Sequence, residues 1–242
     1  KSVTTYGDIF RGVAGVNVLE YGQGLVAYGI SMRGFDEGHG RNVAVFLDGM
    51  PLNVTGSQHT NGYMDLAQLI PELISRADLT RGPFSILAGN HAVGGSIQLY
   101  TDANPQSGLK LTIDSFGRAR AVPILNTEAG PGTLLVAFDL TKGSGYAKQS
   151  DISRANLFTR YSMPIGAGVA ALRFQAYTAE ADAPGWLNYD KLKSGQIPPR
   201  EFLNFGIGDA KDQQNLVFNY NSDDAEGATG WASGWFASVY FN

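Results

Sequence analysis

Residues 71–83 read Pro71-Glu72-Leu73-Ile74-Ser75-Arg76-Ala77-Asp78-Leu79-Thr80-Arg81-Gly82-Pro83. The segment 73–80 reads as a β-strand, and Gly82-Pro83 closes it with a tight turn. Just upstream, residues 66–70 fit one or two helical turns, and Pro71 limits their extension. Downstream, Gly94-Gly95 leads into a second strand over 96–101. Further upstream, the β-branched and apolar runs 16–20, 25–33 and 43–47 read as strands. Asp48-Gly49 follows the last of these as a turn: Gly accepts positive φ, and Asp is expected to bond its own backbone. Short strands, glycine turns and one or two short helices make residues 1–104 a compact α+β unit of ordinary domain size.

From Gly108 the pattern changes to strict alternation. Leu109, Leu111 and Ile113 share one face, with Lys110, Thr112 and Asp114 opposite. Leu134, Val136, Phe138 and Leu140 share a face in 133–141. Leu157, Tyr161 and Met163 oppose Asn156, Arg160 and Ser162 in 156–163. Ala170, Leu172, Phe174 and Ala176 oppose Arg173 and Gln175 in 169–178. Leu216, Phe218 and Tyr220 oppose three asparagines and Val217 in 215–221. A weaker strand over 118–126 is interrupted by Pro123, and 231–241 alternates less cleanly. Period two with one apolar face fits a soluble sandwich as well as a membrane barrel. Length and loops separate the two. Several runs reach the nine to eleven residues that a tilted membrane strand needs, against about five or six in soluble sheets. Short turns at 128–132, 164–168 and 222–227 alternate with longer loops at 142–151 and 180–213, which is the outer-membrane pattern.

Composition narrows the function. A net charge of −4 argues against a general nucleic-acid binder, which needs a basic surface. There is no cysteine, so no disulfide, thiolate metal site or cysteine nucleophile exists. No run approaches 18 consecutive apolar residues, so a spanning protein has to be a barrel. Lys1 leads straight into polar residues with no signal peptide, which for an exported protein suggests a mature or truncated chain. Three motif matches fail on context. Gly22-Gln23-Gly24-Leu25-Val26-Ala27 leads into a strand, not the helix a dinucleotide fingerprint needs. Asn53-Val54-Thr55 is a chance sequon in a bacterial chain. Asp48, His59 and a serine make no triad without a nucleophile elbow. No catalytic residue set is assigned, and the chain is read as a non-enzyme.

Four ordered segments carry a family resemblance. They are Ile30-Ser31-Met32-Arg33-Gly34-Phe35, then 43–52 with Asp48-Gly49-Met50-Pro51, then 71–83, then Ala88-Gly89-Asn90-His91-Ala92-Val93-Gly94-Gly95-Ser96-Ile97. Together they resemble the plug of TonB-dependent outer-membrane receptors, ferric-siderophore receptors among them. Ala88 departs from that family's usual Tyr, and Ser75 and Asp78 replace its acidic pair only in part. The segments 114–117, 142–146 and 211–216 look like early barrel strands and loops of the same receptors. The resemblance implies an α+β plug domain over 1–104, then antiparallel transmembrane β-strands over 105–242. Those strands, about seven, are an incomplete segment of a barrel of about 22. No TonB box is visible before Lys1.

The resemblance also implies sites. Arg33 and Arg81 match plug arginines that lock plug to barrel through carboxylates. Phe35, Asp36, His39 and Arg41 match one ligand-facing plug apex, and Gln58, His59 and Tyr63 the second. The aromatics Trp186, Tyr189, Phe202 and Phe205 of the 180–213 loop are expected to close over a ligand. Trp231 and Trp235 suit an interfacial girdle. No metal site is expected, because the spacing of Asp36 and His39 fixes no coordination geometry. The implied function is active uptake, coupled to TonB and its inner-membrane energising complex, across a Gram-negative outer membrane. The cargo is a bulky scarce ligand, a ferric siderophore first, with cobalamin, haem or a glycan as alternatives; there is no intrinsic cofactor. Outer-membrane lipid is the other partner. A passive porin, a surface adhesin and a soluble β-rich enzyme are the competing readings.

Overall fold

The computed structural model describes residues 5–22, 25, 29–35, 41–54, 61–64, 66–202, 208–222 and 236–241. Two compact units emerge: residues 1–21 with 27–105, and residues 22–26 with 106–242. No helix among the described residues is long and apolar enough to cross a membrane.

In the first unit, helix α1 (Tyr6–Phe10) precedes strands β1 (Val16–Leu19), β2 (Gly29–Met32), β3 (Val43–Leu47), β4 (Met50–Pro51), β5 (Asn53–Val54) and β6 (Tyr63–Met64). Strands β7 (Ile74–Arg81) and β8 (Gly95–Thr101) complete it. The helix start is fixed by Asp8, whose carboxylate accepts from the Thr5 amide at 2.9 Å and its hydroxyl at 3.1 Å. A four-stranded mixed sheet runs β4-β3-β8-β7, with β3 and β8 parallel. Val43, Val45, Leu47, Ile97 and Leu99 of its two central strands are fully buried. Buried Asn53 ties the small β5–β6 hairpin to this sheet: its Oδ1 accepts from the Val45 amide, and its Nδ2 donates to the Val43 and Gly62 carbonyls. A sequon asparagine committed in this way is no glycan acceptor.

Three local expectations change. The 66–70 segment is a turn closed by the Leu69 amide on the Leu66 carbonyl, not a helix. The helical turn is instead a 3₁₀ turn at Pro71–Leu73. Proline starts it because the first helical position needs no N–H. The 25–33 run is a strand only over Gly29–Met32 among the described residues, and Arg33 turns the chain out of β2 with φ +54. Asp48 and Gly49 both have positive φ, +47 and +83, as a two-residue primed hairpin turn requires. The Asp48 carboxylate reaches across to the end of β8. It accepts from the Thr101 amide at 2.9 Å and hydroxyl at 3.0 Å.

Gly95 is the tightest point of the unit. It opens β8 with φ +146, and a Cβ there would collide with the Thr80 carbonyl oxygen and the Met32 sulfur. The neighbouring Gly94 accepts from the Gly82 amide and donates to the Asn42 carbonyl, both at 2.8 Å. Close approach within this unit thus calls for both glycines.

The second unit has strands β9 (Gly108–Ile113), β10 (Ala119–Ala129), β11 (Gly132–Gly143), β12 (Ile152–Ile165), β13 (Gly168–Asp182), β14 (Gly208–Ser222) and β15 (Phe236–Phe241). They form one antiparallel sheet in sequence order. Strands β12, β13 and β14 reach 14, 15 and 15 residues, more than enough to span a bilayer when tilted. Pro123 does not end β10. Its ladder with β9 continues through Pro123↔Leu109, and only the β11 side lacks pairs at 122 and 123. Longer strands leave shorter loops than expected, 144–151 and 183–207. The latter carries helix α2 (Tyr189–Lys193), capped by the Asn188 side chain on the Lys191 amide.

The sheet is inverted relative to a soluble one. Along β13, Leu172 is 50% exposed and Arg173 only 2%; Phe174 is 36% exposed and Gln175 only 1%. The same holds in β11, where Phe138 and Leu140 are exposed and Asp139 and Thr141 buried, and in β14, where Leu216 and Phe218 are exposed and Asn215 buried. A sandwich would bury the apolar face. This sheet presents it outward and buries the polar one, as a strand wall in lipid does.

At the short-turn end the outward face carries a repeated tyrosine device. Tyr161 lies over Gly132 and donates to the Ala129 carbonyl at 3.0 Å; Tyr220 lies over Gly168 and donates to the Ile165 carbonyl at 3.2 Å. Amphipathic rings at the rim of an apolar band suit a membrane interface. The expected girdle residues Trp231 and Trp235 lie outside the described residues.

Gly95→Ala is expected to destabilise the first unit by at least about 2 kcal/mol, because both backbone strain and the Thr80 carbonyl oppose a methyl group. Urea unfolding followed by trypsin sensitivity of residues 1–105 checks this.

Candidate functional site

The expected site residues of the first unit separate by exposure. Arg33 is exposed at its left-handed turn, and its amide donates to the Gly15 carbonyl at 3.0 Å. Arg81 is also exposed, but its guanidinium is occupied within the unit: Nε and Nη2 donate to the Ala14 carbonyl at 3.2 and 2.8 Å. Phe35, next to Arg33, is 47% exposed. Tyr63 is buried in β6 against Val54. Asp36, His39, Gln58 and His59 lie outside the described residues. The chain positions that flank those two segments meet at His91, which the sequence reading quoted but gave no role. Its Nδ1 lies 3.3 Å from the Arg41 carbonyl, and a Cβ on Gly62 would strike its ring.

In the second unit, strand alternation puts residues 114–118, 144–151 and 183–207 at one end of the sheet. Their side chains form an aromatic and cationic group. Phe116 and Tyr146 meet edge to face at 5.6 Å. The Arg200 guanidinium stands 5.5 Å from the Phe116 ring and 5.7 Å from the Tyr146 ring. Its Nε donates to the Tyr146 carbonyl at 2.7 Å. Beside it, Lys148 Nζ donates to Glu201 at 2.9 Å, and that hydrogen bond holds the Glu201 carboxyl below its ordinary range. Trp186 and Tyr189 stand out from the same loop, 69% and 70% exposed. Phe202 is half-buried, with its amide on the Glu201 carboxylate; Phe205 lies outside the described residues. The sequence marked Phe116 and Tyr146 only as parts of short segments and gave no sign of Arg200, because the cluster joins three loops.

The buried face of the sheet carries a charge network with no sequence signature. Asp139 accepts from Arg120 Nε at 3.1 Å and Nη2 at 2.9 Å, a bidentate pair. Arg154 Nη2 reaches both Asp139 oxygens at 3.1 Å and the Thr141 hydroxyl at 3.0 Å. One carboxylate thus holds two guanidiniums from the strands on either side of its own. Along the next rows lie buried Asn156, Tyr177, Gln175, Gln213 and Asn215. Arg173, also buried, faces the Phe158 ring at 5.9 Å. Such a face offers hydrogen bonds and charge interspersed with buried apolar residues such as Leu135, Phe158 and Val217.

A depression of about 670 Å³ also lies near the loop end. Two rows of its lining, Leu111, Ala121, Leu140, Ala155 and Thr178 with Ile113, Ala119, Lys142, Ser153 and Glu180, belong to the outward face. The remaining lining residues, Thr112, Arg120, Thr141, Arg154 and Ala179, belong to the row between them on the opposite face.

Residues 1–96 match the family model described as TonB-dependent Receptor Plug Domain. Among solved structures, the ferric citrate transporter FecA in its unliganded form superposes with a TM-score of 0.74 at 19% identity, over 93% of this chain and 35% of that one. The closed form of the ferric-catecholate import receptor Fiu from E. coli K12 gives 0.68 at 16%, over 93% and 33%. The ferric yersiniabactin uptake receptor FyuA from Yersinia pestis gives 0.60 at 18%, over 90% and 36%. At these identities the likeness is one of fold. The chain spans about a third of the length of those structures. Residues 1–96 thus match a TonB-dependent receptor plug domain, and the antiparallel strands that follow share the fold of the corresponding strands in those solved structures.

Asp139→Ala strands two buried guanidiniums without their acid. It is expected to destabilise the sheet by about 3–5 kcal/mol, the usual cost of breaking a buried pair from one side. The urea midpoint of the protein reconstituted in lipid measures this; an unchanged midpoint contradicts the pairing.

Proposed function

We propose that this chain belongs to an outer-membrane receptor that imports a bulky, scarce ligand, a ferric siderophore first, using energy delivered through TonB. The observation that carries the reading is the inverted sheet directly following a plug domain. An apolar outward face needs a lipid surround, and a polar inward face suits a lumen that a plug can occupy. Iron–siderophore complexes are also what the names of FecA, Fiu and FyuA associate with this fold.

In this reading the ligand arrives at the loop end, where Trp186, Tyr189, Phe202 and Phe205 offer aromatic surface. It then meets the plug at Phe35, Asp36, His39 and Arg41 and at Gln58 and His59. Ligand contacts bias the plug between conformations, and TonB draws on its N-terminal side to open the path. Arg33 and Arg81 hold the plug by pairing with barrel carboxylates. For Arg81 that pairing has to compete with the Ala14 carbonyl it already engages. Cobalamin, haem or a glycan would use the same mechanism.

Uptake of an iron-55 siderophore panel by cells expressing the full-length protein tests the proposal. Accumulation is expected to stop without TonB or when the proton gradient is collapsed. Uptake that persists without TonB contradicts the reading and indicates a passive pore; absence of all binding and uptake across iron, cobalamin, haem and glycan cargoes indicates an adhesin.

A further inference from the structure

The three loops at one end of the second unit are joined through two consecutive residues, Arg200 and Glu201. The Arg200 carbonyl accepts from the Lys148 amide at 2.9 Å, while its Nε donates to the Tyr146 carbonyl at 2.7 Å. Its guanidinium faces both the Phe116 ring and the Tyr146 ring. Glu201 adds the ion pair to Lys148 at 2.9 Å. The backbone of 114–118 is braced locally: Asp114 Oδ1 accepts from the Phe116 amide at 2.8 Å and the Arg118 amide at 3.0 Å. The 144–151 loop is braced likewise, by the Ser150 hydroxyl accepting from the Gly145 amide at 2.9 Å and donating to the Ala147 carbonyl at 2.6 Å. Two internally stiff loops are thus linked to the return limb of the third at one place.

The outer limb of that third loop is different. Helix α2 has no buried residue, and Trp186 and Tyr189 are among the most exposed rings of the chain. The loop is therefore anchored at residues 200–201 and presented to solvent at its tip.

We propose that Arg200 is the pin that makes these three loops one cap, so that residues 114–118, 144–151 and 196–202 open and close together. An exposed ion pair alone, such as Lys148–Glu201, contributes little. Arg200 differs because its guanidinium lies 5.5 and 5.7 Å from two ring centroids while its Nε donates to a carbonyl, three partners that a single lysine ammonium cannot hold in the same geometry. If the uptake reading holds, cargo that displaces the Trp186–Tyr189 tip would move the other two loops through this pin. Only that consequence rests on the uptake reading; the pin itself does not.

Hydrogen exchange on the full-length protein in lipid, without cargo, tests the coupling. Arg200→Ala is expected to speed exchange by roughly three- to tenfold in all three loops, with the ladders of β10 to β13 unchanged. Arg200→Lys is expected to behave like Arg200→Ala. Phe116→Ala is expected to loosen residues 198–202, which reach residue 116 through the Arg200 guanidinium. Loosening confined to 196–202 in Arg200→Ala, full protection in Arg200→Lys, or unchanged 198–202 in Phe116→Ala each overturns the proposal. Because no cargo is present, failure here leaves the uptake reading standing, and failure of uptake leaves the coupling standing.

Discussion

Hydrocarbon offers no hydrogen bonds, so every backbone N–H and C=O that meets it has to be bonded within the sheet. The second unit is built on that constraint. Its strands pair in sequence order with long ladders; fifteen residues of β13 pair with fifteen of β14. Side chains then follow from the pleat. With backbone satisfied in the plane, one face is free to be apolar and meet lipid, and the other free to be polar. Alternation at Leu172-Arg173-Phe174-Gln175 is the local form of this division, and the ion pairs of Asp139 are possible because they lie on the protected side. Tyrosines at the short-turn rim mark where the apolar band ends.

The first unit obeys a different constraint. Its strands are short, and it joins sequence-distant pieces through single residues. Asp48 ties a hairpin turn to the end of β8, Asn53 ties a small hairpin to β3, and Gly95 lets β8 pass beside β7. These are the positions where the plug motifs fall. The turn, the arginine-glycine pair and the double glycine are thus requirements of one small sheet before they are features of a receptor. At its margins Arg33, Phe35 and Arg81 remain exposed, where the proposed function places its plug contacts.

The phase of the long strands was legible because a period of two is read from each strand alone. Leu172, Phe174, Leu216 and Phe218 point where alternation puts them. Strand ends were not legible, since polar residues such as Ser153, Arg154, Asp209 and Lys211 continue a ladder as readily as they form a loop. Nor was the 66–70 segment, whose apolar content suited a helix while Pro71 starts the turn that follows. The burial of Tyr63 was not legible, because two residues of strand beside a glycine turn resemble a loop. The Asp48–Thr101, Arg81–Ala14 and Arg200–Tyr146 contacts join residues more than fifty positions apart. The Arg120–Asp139–Arg154 network joins three strands. Neither kind of contact leaves a pattern in a single sequence.

The central claim is that the apolar face of this sheet meets lipid while the polar face is shielded from it. The most direct measurement is a nitroxide scan through positions 171–178 of the full-length protein in lipid bilayers, reading collisions with oxygen and with a water-soluble nickel complex. The account predicts oxygen maxima and nickel minima at 172, 174 and 176. At 173, 175 and 177 it predicts low oxygen collision rates. Oxygen maxima at 173, 175 and 177, or no period of two, would contradict it.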